Sequence, residues 1–165
     1  SRIARTPAVS RRGRYRIRDN FFRFYFRFVF PHLAQIRQGI TTGLTDALDK
    51  DFNAFMGQAF ETAVEDALLA MARSGLIRFT SLGPWWDGEA EIDLVARNGR
   101  EVTYIESKWT DLDGRGAATV LSALKEKASR VKIPGTKKRY LIAARTCAPV
   151  DGAETLTIAD MARIA

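Results

Sequence analysis

The segment that decides the fold is EAEIDLVARNGREVTYIESKW, which spans residues 89–109. Stretches rich in strand-forming residues lie on both sides of an Asn-Gly pair at 98–99, and this arrangement is a strong signal for a β-hairpin. The pattern predicts one strand over residues 89–96 and a second strand over residues 101–109. The segment therefore establishes a β-sheet, and the rest of the chain can be placed around it.

The hairpin concentrates ionisable side chains on one face of that sheet. With the turn centred on the Asn-Gly pair, Glu91 faces Glu106 and Asp93 faces Tyr104. Because side chains alternate along a strand, Asp93, Glu106 and Lys108 then point to the same side. Opposed carboxylates repel each other, and a divalent cation between them is the natural compensation. A turn one residue longer would move Asp93 to the other side, so this prediction depends on the register.

Helical and strand patterns surround the hairpin. The expected elements are a helix after residue 19, a short helix over 44–50, a long helix over 51–73, a strand over 76–82, the hairpin, a helix over 117–131, strands over 139–144 and 154–158, and the start of a helix over 159–164. A Ser-Gly pair is expected to end the long helix, and residues 83–88 are expected to form a connection. This order predicts an α/β fold with a mixed β-sheet flanked by helices.

The segment NFFRFYFRFVFP, residues 20–31, contains six of the ten phenylalanines. Five of them alternate with the period of a strand, whereas a second set of apolar residues fits the spacing of a helix. Asp19 as an N-cap and Pro31 as a terminator favour the helix. So many aromatic side chains are expected to pack on the rest of the domain or on a partner.

The composition limits the chemistry that is available. The chain of 165 residues has one cysteine, Cys147, and one histidine, His32. An intramolecular disulfide, a cysteine-based zinc cluster and a two-histidine metal site are thereby excluded. Carboxylates would have to hold any metal, which favours Mg²⁺ or Mn²⁺. Because the chain has neither the apolar run of about 20 residues that a membrane span needs nor a signal peptide, we expect a cytoplasmic protein.

The formal net charge is +7, and it is distributed unevenly along the chain. Residues 1–32 contain nine arginines and a single acid, whereas residues 33–165 contain 17 basic and 18 acidic side chains. A second basic stretch covers residues 125–139. Basic surfaces around an acid-rich hairpin are what a metal-dependent DNA-binding protein would show, but charge alone favours a solvated surface with an arginine-rich tail. The candidate nucleic-acid-binding residues are Arg11, Arg12, Arg14, Lys125, Lys127, Arg130 and Lys132.

Several strings of the sequence together resemble a known family. EID at 91–93 and ESK at 106–108 resemble the PD-(D/E)xK motif of nucleases, and MGQAFE at 56–61 resembles the helix that carries a further acid in that superfamily. With RYRIRDNFFRFYFRFVFP at 14–31 and LGPWWDGEAEIDLVA at 82–96, these strings resemble the C-terminal domain of archaeal-type AAA+ ATPases.

The resemblance extends over residues 11–145 and implies a restriction-endonuclease-like fold. In this family, an ATPase module and a winged helix precede the nuclease-like domain. Because the chain contains no P-loop string, an ATPase module is expected to lie outside it. The implied domains are an arginine-rich arm over residues 1–18 as the tail of the winged helix, an aromatic helical extension over 19–50 and a nuclease-like α/β core over 51–165.

The resemblance also implies a catalytic site and a reaction. Asp93 and Glu106 would bind Mg²⁺ or Mn²⁺, and Glu61 would approach the metal from its helix. Lys108 would orient or activate the attacking water and stabilise the developing charge on the phosphate. The implied activity is metal-dependent endonucleolytic hydrolysis of DNA. Ile92 stands where the motif has a proline, which is a common departure in this superfamily.

A second function is open: a catalytically silent module that binds DNA or its ATPase partner with the same fold. Asp93 and Lys108 would then form an ordinary ion pair, and Glu61 would be an exposed helix residue. Trp85 and Trp86 either close the edge of the core, which we favour, or stack on bases. A homodimer is a further alternative. Dependence on a divalent metal distinguishes the two functions.

Overall fold

A computed structural model describes residues 19–131 and 137–164. The helices are α1 (Asn20–Phe24), α2 (Leu33–Arg37), α3 (Thr42–Arg73), α4 (Gly114–Arg130) and α5 (Ile158–Ala162), and the strands are β1 (Ser81–Trp86), β2 (Glu91–Asn98), β3 (Glu101–Leu112), β4 (Lys137–Cys147) and β5 (Glu154–Thr157). The described residues form two compact units, one that ends at Ala59 and one that begins at Phe60. The long helix α3 contributes residues to both units.

The C-terminal unit is built on a five-stranded sheet with the order β1-β2-β3-β4-β5. The strands β1, β2 and β3 are antiparallel neighbours, whereas β3, β4 and β5 run parallel. Two parallel neighbours need a long crossover, and α4 provides it between β3 and β4. The expected α/β class with a mixed sheet is therefore confirmed.

Apolar side chains cover both faces of this sheet. On one face, Leu124 and Ala128 of α4 pack against Tyr104 of β3. On the other face, Val64 of α3 packs in a cluster with Leu94 of β2. Because each face has its own helix, the ionisable side chains of β2 and β3 lie between two helices that can contribute further groups.

The hairpin between β2 and β3 turns one residue later than expected, at Gly99 and Arg100. Asn98 pairs with Glu101, and Gly99 has a φ of 59°. A glycine with positive φ at the first turn position is typical of a type II′ turn, which leaves Asn98 in the strand. The expected register is therefore wrong by two residues. Since the side-chain period of a strand is also two, this error leaves the predicted facing across the pair unchanged.

A β-bulge interrupts the pairing of β1 with β2. Gly83 pairs with Val95, whereas Trp85 pairs with Ile92, so β2 accommodates one extra residue opposite Pro84. Such a bulge kinks the strand and changes the direction of its side chains. Ile92 consequently packs on the α4 face of the sheet with Trp85, and not on the face that simple alternation predicted.

The first strand lies over Ser81–Trp86 and not over residues 76–82, so the Gly-Pro-Trp-Trp string belongs to a strand and not to a connection. Within the described sheet, β1 is an edge strand. Pro84 is tolerated there because an edge strand has one side on which no ladder hydrogen bond is required.

Helix α3 is continuous from Thr42 to Arg73, where two helices were expected. Residues 44–56 contain neither glycine nor proline, so nothing in the sequence breaks the helix at residue 50. The predicted end is confirmed: Gly75 has a φ of 80°, and the Leu76 N–H donates to the Met71 carbonyl at 2.9 Å. This is the arrangement of a glycine-terminated helix.

The N-terminal unit is helical, as expected. The Asp19 carboxylate accepts hydrogen bonds from the N–H groups of Phe21 and Phe22 at 2.8 and 3.1 Å, which confirms the predicted N-cap. A π-helical segment over Tyr25–Val29 and a 3₁₀ turn over Phe30–His32 follow α1. None of the helices in residues 19–131 and 137–164 has the length and apolarity needed to cross a membrane.

Pro31 does not end the helical path, because the chain continues into α2 after the 3₁₀ turn. A proline inside an α-helix lacks an N–H and clashes with the carbonyl four residues earlier, here that of Arg27. The change from π to 3₁₀ geometry beside Pro31 replaces the regular turn in which that clash would occur. The expectation of a terminating proline is therefore wrong.

The aromatic run is divided between the interior and the surface. Phe28 is 1% exposed and packs with Phe55 and Ala59 of α3 and with the partly buried Phe24. By contrast, four other phenylalanines of the run are between 49% and 70% exposed, namely Phe21, Phe22, Phe26 and Phe30. Packing on the rest of the domain is therefore confirmed for only part of the run.

Candidate active site

The candidate site lies where β2 and β3 separate. Paired residues extend from the turn only as far as Leu94 and Ile105. The next residue of β2 beyond Leu94 is Asp93. Its side chain, and not a backbone carbonyl, accepts the hydrogen bond from β3: the Ser107 N–H donates to the Asp93 Oδ2 at 2.7 Å. The bulge at this point of β2 thus directs a carboxylate toward β3.

Glu106 of β3 is the buried acid of this site. The residue is only 4% exposed, and its Oε1 accepts hydrogen bonds from the Lys108 Nζ at 2.8 Å and from the Lys127 Nζ at 2.9 Å. Its Oε2 accepts a second bond from the Lys127 Nζ at 3.0 Å. A buried carboxylate is costly unless it is paired, and these two ammonium groups provide the pairing.

The environment of Asp93 disfavours its ionised form. Burial and the neighbouring Glu106 carboxylate raise the pKa of Asp93 to about 6, and the charge of Glu61 acts in the same direction. The hydrogen bond from the Ser107 N–H and the positive charge of Lys108 oppose this rise. At neutral pH, Asp93 is therefore an ionised group whose negative charge is incompletely compensated.

Lys108 is held in its charged form. Burial by itself lowers the pKa of Lys108, but the hydrogen bond to Glu106 and the charges of Glu106, Asp93 and Glu61 outweigh burial and raise it. The ammonium group is thus a stable positive charge next to two carboxylates. It is suited to bind an anion or to orient a water molecule, and it is not suited to act as a general base.

Glu61 is an exposed residue of α3, but it belongs electrostatically to the site. Its charge contributes to the raised pKa values of both Asp93 and Lys108. The C-terminal half of α3 covers the opposite face of the sheet from α4. The predicted acid from the preceding helix therefore acts on the cluster through its charge, and its helix lies on the other face of the sheet from α4.

The donor set fits a small hard cation held partly by water. No three carboxylate, histidine or cysteine side chains come together as a preformed metal cage within the part of the chain that the structure describes. Asp93 and Glu106 offer carboxylate oxygens, which Mg²⁺ and Mn²⁺ prefer, and Mg²⁺ is commonly held by one or two carboxylates with several waters. The raised pKa of Asp93 shows that added positive charge would be favourable there.

Other predicted residues do not join the cluster. Glu91 is exposed and lies beyond Leu94, the last residue of β2 that pairs with β3, and the register of that pairing does not oppose Glu91 to Glu106, so the predicted opposition is wrong. This follows from the two-residue shift of the register. Trp85 is buried, as favoured, whereas Trp86 is 58% exposed.

The candidate nucleic-acid-binding residues on α4 differ in their surroundings. The Lys125 Nζ lies 5.6 Å from the centroid of the Tyr140 ring, and the Arg130 Nη1 lies 2.9 Å from the Glu89 Oε2. Lys127 points into the site and not along the helix surface. Four further candidates lie outside the described residues, namely Arg11, Arg12, Arg14 and Lys132.

Two contributors to the site were not predicted in these roles. The Ser107 N–H orients Asp93. This hydrogen bond forms only because the two strands separate at this point, and no sequence pattern indicates that separation. The sequence predicts Lys127 as part of a DNA-binding surface. Its spacing of three residues from the buried Leu124 places it at the edge of the apolar stripe of α4, and this was the available signal.

The fold and the site define a class: an α/β domain with a mixed sheet and a buried carboxylate–lysine cluster where two of its strands separate. Residues 25–120 match DUF234, a family of archaeal and bacterial proteins of unknown function, and the chain belongs to this family. The match includes Glu61, Asp93, Glu106 and Lys108, whereas Lys127 lies beyond it.

A relative is found in an archaeon. The chain is 33% identical over 140 residues to an uncharacterized protein of Methanocaldococcus jannaschii, and the alignment covers 82% of the chain and 31% of the relative. The chain thus spans about a third of the length of this protein. No solved structure matches the chain significantly.

Proposed function

We propose that this chain is a metal-dependent nuclease domain that hydrolyses phosphodiester bonds of DNA at a PD-(D/E)xK site. The observation that carries the proposal is the burial of Glu106 next to Asp93 and Lys108 at the point where two strands separate. An ordinary surface ion pair does not explain a carboxylate that is 4% exposed. Such clusters of perturbed ionisable groups are typical of functional sites.

In the proposed site, Asp93 and Glu106 would hold the divalent cation, and the Ser107 N–H fixes the position of the Asp93 carboxylate. When bound, Mg²⁺ or Mn²⁺ would supply a nucleophile at neutral pH and would neutralise charge on the phosphate. Lys108 donates its ammonium protons to a water molecule or to a phosphate oxygen, and its raised pKa keeps it charged for that role. Glu61 adds negative charge that favours cation binding.

A second candidate function is a catalytically silent module that binds DNA or an ATPase partner. One observation favours it: both oxygens of Glu106 already accept hydrogen bonds from lysines, so this buried carboxylate is paired without a metal. A silent module would bind its partner equally well with and without a divalent cation.

We also propose that the chain acts as the C-terminal domain of a longer ATPase. The strings that resemble archaeal-type AAA+ ATPases support this proposal, and the relative is about three times the length of the aligned region. ATP hydrolysis measured on such a longer protein tests it. Cytoplasmic localisation and a homodimer stay predictions.

The test of nuclease function is cleavage of supercoiled and branched DNA with Mg²⁺ or Mn²⁺. We expect the parent chain to cleave, and we expect Lys108→Ala to reduce the rate at least about 100-fold, because the site loses the charge that stabilises the phosphate. The matched control is Lys137→Ala, since the Lys137 side chain is 76% exposed and its nearest acid is Glu101 near the hairpin turn. Equal cleavage by parent and Lys108→Ala would contradict the proposed site, and DNA binding without metal-dependent cleavage would favour the silent module.

A further inference from the structure

Lys127 differs from the other basic residues of α4 in the direction of its side chain. Its ammonium group lies 2.9 and 3.0 Å from the two carboxylate oxygens of Glu106, and its side chain is 30% exposed. On the same helix, Lys125 is exposed and Arg130 pairs with Glu89 on the surface. Lys127 is thus directed toward the sheet and makes its contacts within the candidate site.

The contacts of Lys127 occupy the positions at which a cation would bind Glu106. In the described residues, Oε2 has Lys127 as its hydrogen-bond donor, and Oε1 is shared between Lys127 and Lys108. An ammonium group and a divalent cation on the same carboxylate oxygens repel each other and compete for the same lone pairs. A divalent cation that binds Glu106 through Oε2 would therefore lie beside the Lys127 ammonium, and movement of Lys127 away from the carboxylate would relieve the repulsion between the two positive charges.

Lys127 is able to move because of where it is attached. It is carried by α4, outside the strand that holds Glu106, and four rotatable bonds separate its ammonium group from the helix. Lys108 follows Glu106 on the same strand by two residues, so it stays beside the carboxylate whether or not Lys127 is present. The two lysines thus differ. Lys108 is fixed beside Glu106 by their common strand, whereas Lys127 is a counter-ion from another element and can move away from Glu106.

We propose that Lys127 is an internal counter-ion that occupies the cation site of Glu106 and regulates its loading. This inference rests on the proposed function, since it names a competitor for the metal of that site. In the metal-free chain, Lys127 neutralises the buried carboxylate. The Lys127 ammonium repels a divalent cation at the same carboxylate, so binding of the cation favours its displacement. The cost of this displacement weakens metal affinity and limits loading to conditions in which the cation is abundant.

The test is calorimetric titration of the whole chain with Mn²⁺ in the absence of DNA. Lys127→Met keeps the length and the apolar stem of the side chain but removes the charge, and we expect it to bind Mn²⁺ about tenfold more tightly than the parent. The control Lys125→Met removes an exposed charge from the same helix and is expected to leave the affinity unchanged. Without metal, Lys127→Met should melt at a lower temperature than the parent because Glu106 loses a partner. Mn²⁺ should reduce this difference in melting temperature, because it replaces the lost positive charge.

The outcomes separate the two proposals. Unchanged or weaker Mn²⁺ binding by Lys127→Met, with normal binding by the parent, would overturn the counter-ion role and leave the nuclease proposal intact. Binding by Lys127→Met but not by the parent would support the role, whereas binding by neither chain would overturn both proposals. If Lys127→Met does not fold, Lys127→Gln keeps a hydrogen-bond donor for Glu106 without the charge, and the same rise in affinity is expected.

Discussion

The negative charge of Asp93, which the proposed metal binding requires, lowers the stability of the folded chain. The ordinary pKa of an aspartate is 3.8, and in the folded chain burial and Glu106 raise the pKa of Asp93 to about 6. Between these values, the folded state binds a proton that the unfolded state has lost. Stability therefore falls as the pH rises through this range, and the deficit persists above it.

Asp93→Asn is accordingly expected to stabilise the metal-free chain at pH 8, by up to about 3 kcal/mol, because it removes a charge that burial opposes. At pH 4, where Asp93 is largely protonated in the folded state, the two chains should have similar stability. Urea denaturation at both pH values, with EDTA present, measures the difference. The control Asp46→Asn changes an exposed aspartate of α3, and a loss of stability at pH 8 in Asp93→Asn would argue against this assignment.

Glu106 and Lys108 share a side because side chains alternate along β3, whereas the bulge in β2 directs Asp93 toward them. Asp93, Glu106 and Lys108 were predicted to share a side, and the structure brings them together even though the register was wrong by two residues. Their catalytic and metal-binding roles stay predictions. The position of Lys127 could not be derived in the same way, since it depends on how α4 lies on the sheet.

At the scale of secondary-structure elements, the hairpin between β2 and β3 sets the geometry of the site. Its register is fixed by the turn, and the turn depends on Gly99, whose φ of 59° lies in the left-handed region. A side chain at this position would meet no atom within 4 Å, so the cost of a substitution is conformational and not steric. The turn is thus a place where backbone conformation alone can be tested.

Gly99→Ala is expected to destabilise the chain by about 1 kcal/mol, because alanine disfavours a left-handed conformation. The matched control is Gly83→Ala in β1, where a Cβ also meets nothing within 4 Å and φ is not positive. That substitution should be neutral or slightly stabilising. Urea denaturation of the three chains provides the comparison, and an equal effect of the two substitutions would contradict the role of the turn.

Element boundaries were predictable where a local signal exists and not where the signal is tertiary. Asp19 and Gly75 mark helix ends by their own chemistry, and the structure confirms both. The strand β1 was misplaced because Pro84 suggests a connection, and only the position of β1 at the edge of the sheet makes that proline acceptable. The bulge in β2 likewise depends on its partner strand.

At the scale of the whole molecule, positive charge is segregated along the chain. Residues 1–32 hold nine arginines against one acid, whereas the remaining 133 residues carry 17 basic and 18 acidic groups. Since the proposed substrate is a polyanion, the N-terminal arginines are expected to dominate the electrostatic part of DNA binding. The position of these charges in the sequence, and not the net charge of +7, then determines affinity.

Replacing Arg11, Arg12 and Arg14 together by alanine tests this expectation. If each arginine contacts a phosphate, the slope of log K against log salt for duplex DNA should decrease in magnitude by about 2–3, and affinity at low salt should fall. The control replaces the exposed Arg37, Arg73 and Arg78, which changes the net charge by the same amount elsewhere in the chain. Binding is measured by fluorescence anisotropy between low and moderate salt without divalent cations. Equal slopes in the two triple variants would mean that DNA responds to the overall charge, and an unchanged slope in the Arg11, Arg12 and Arg14 variant would exclude the N-terminal arginines as phosphate contacts.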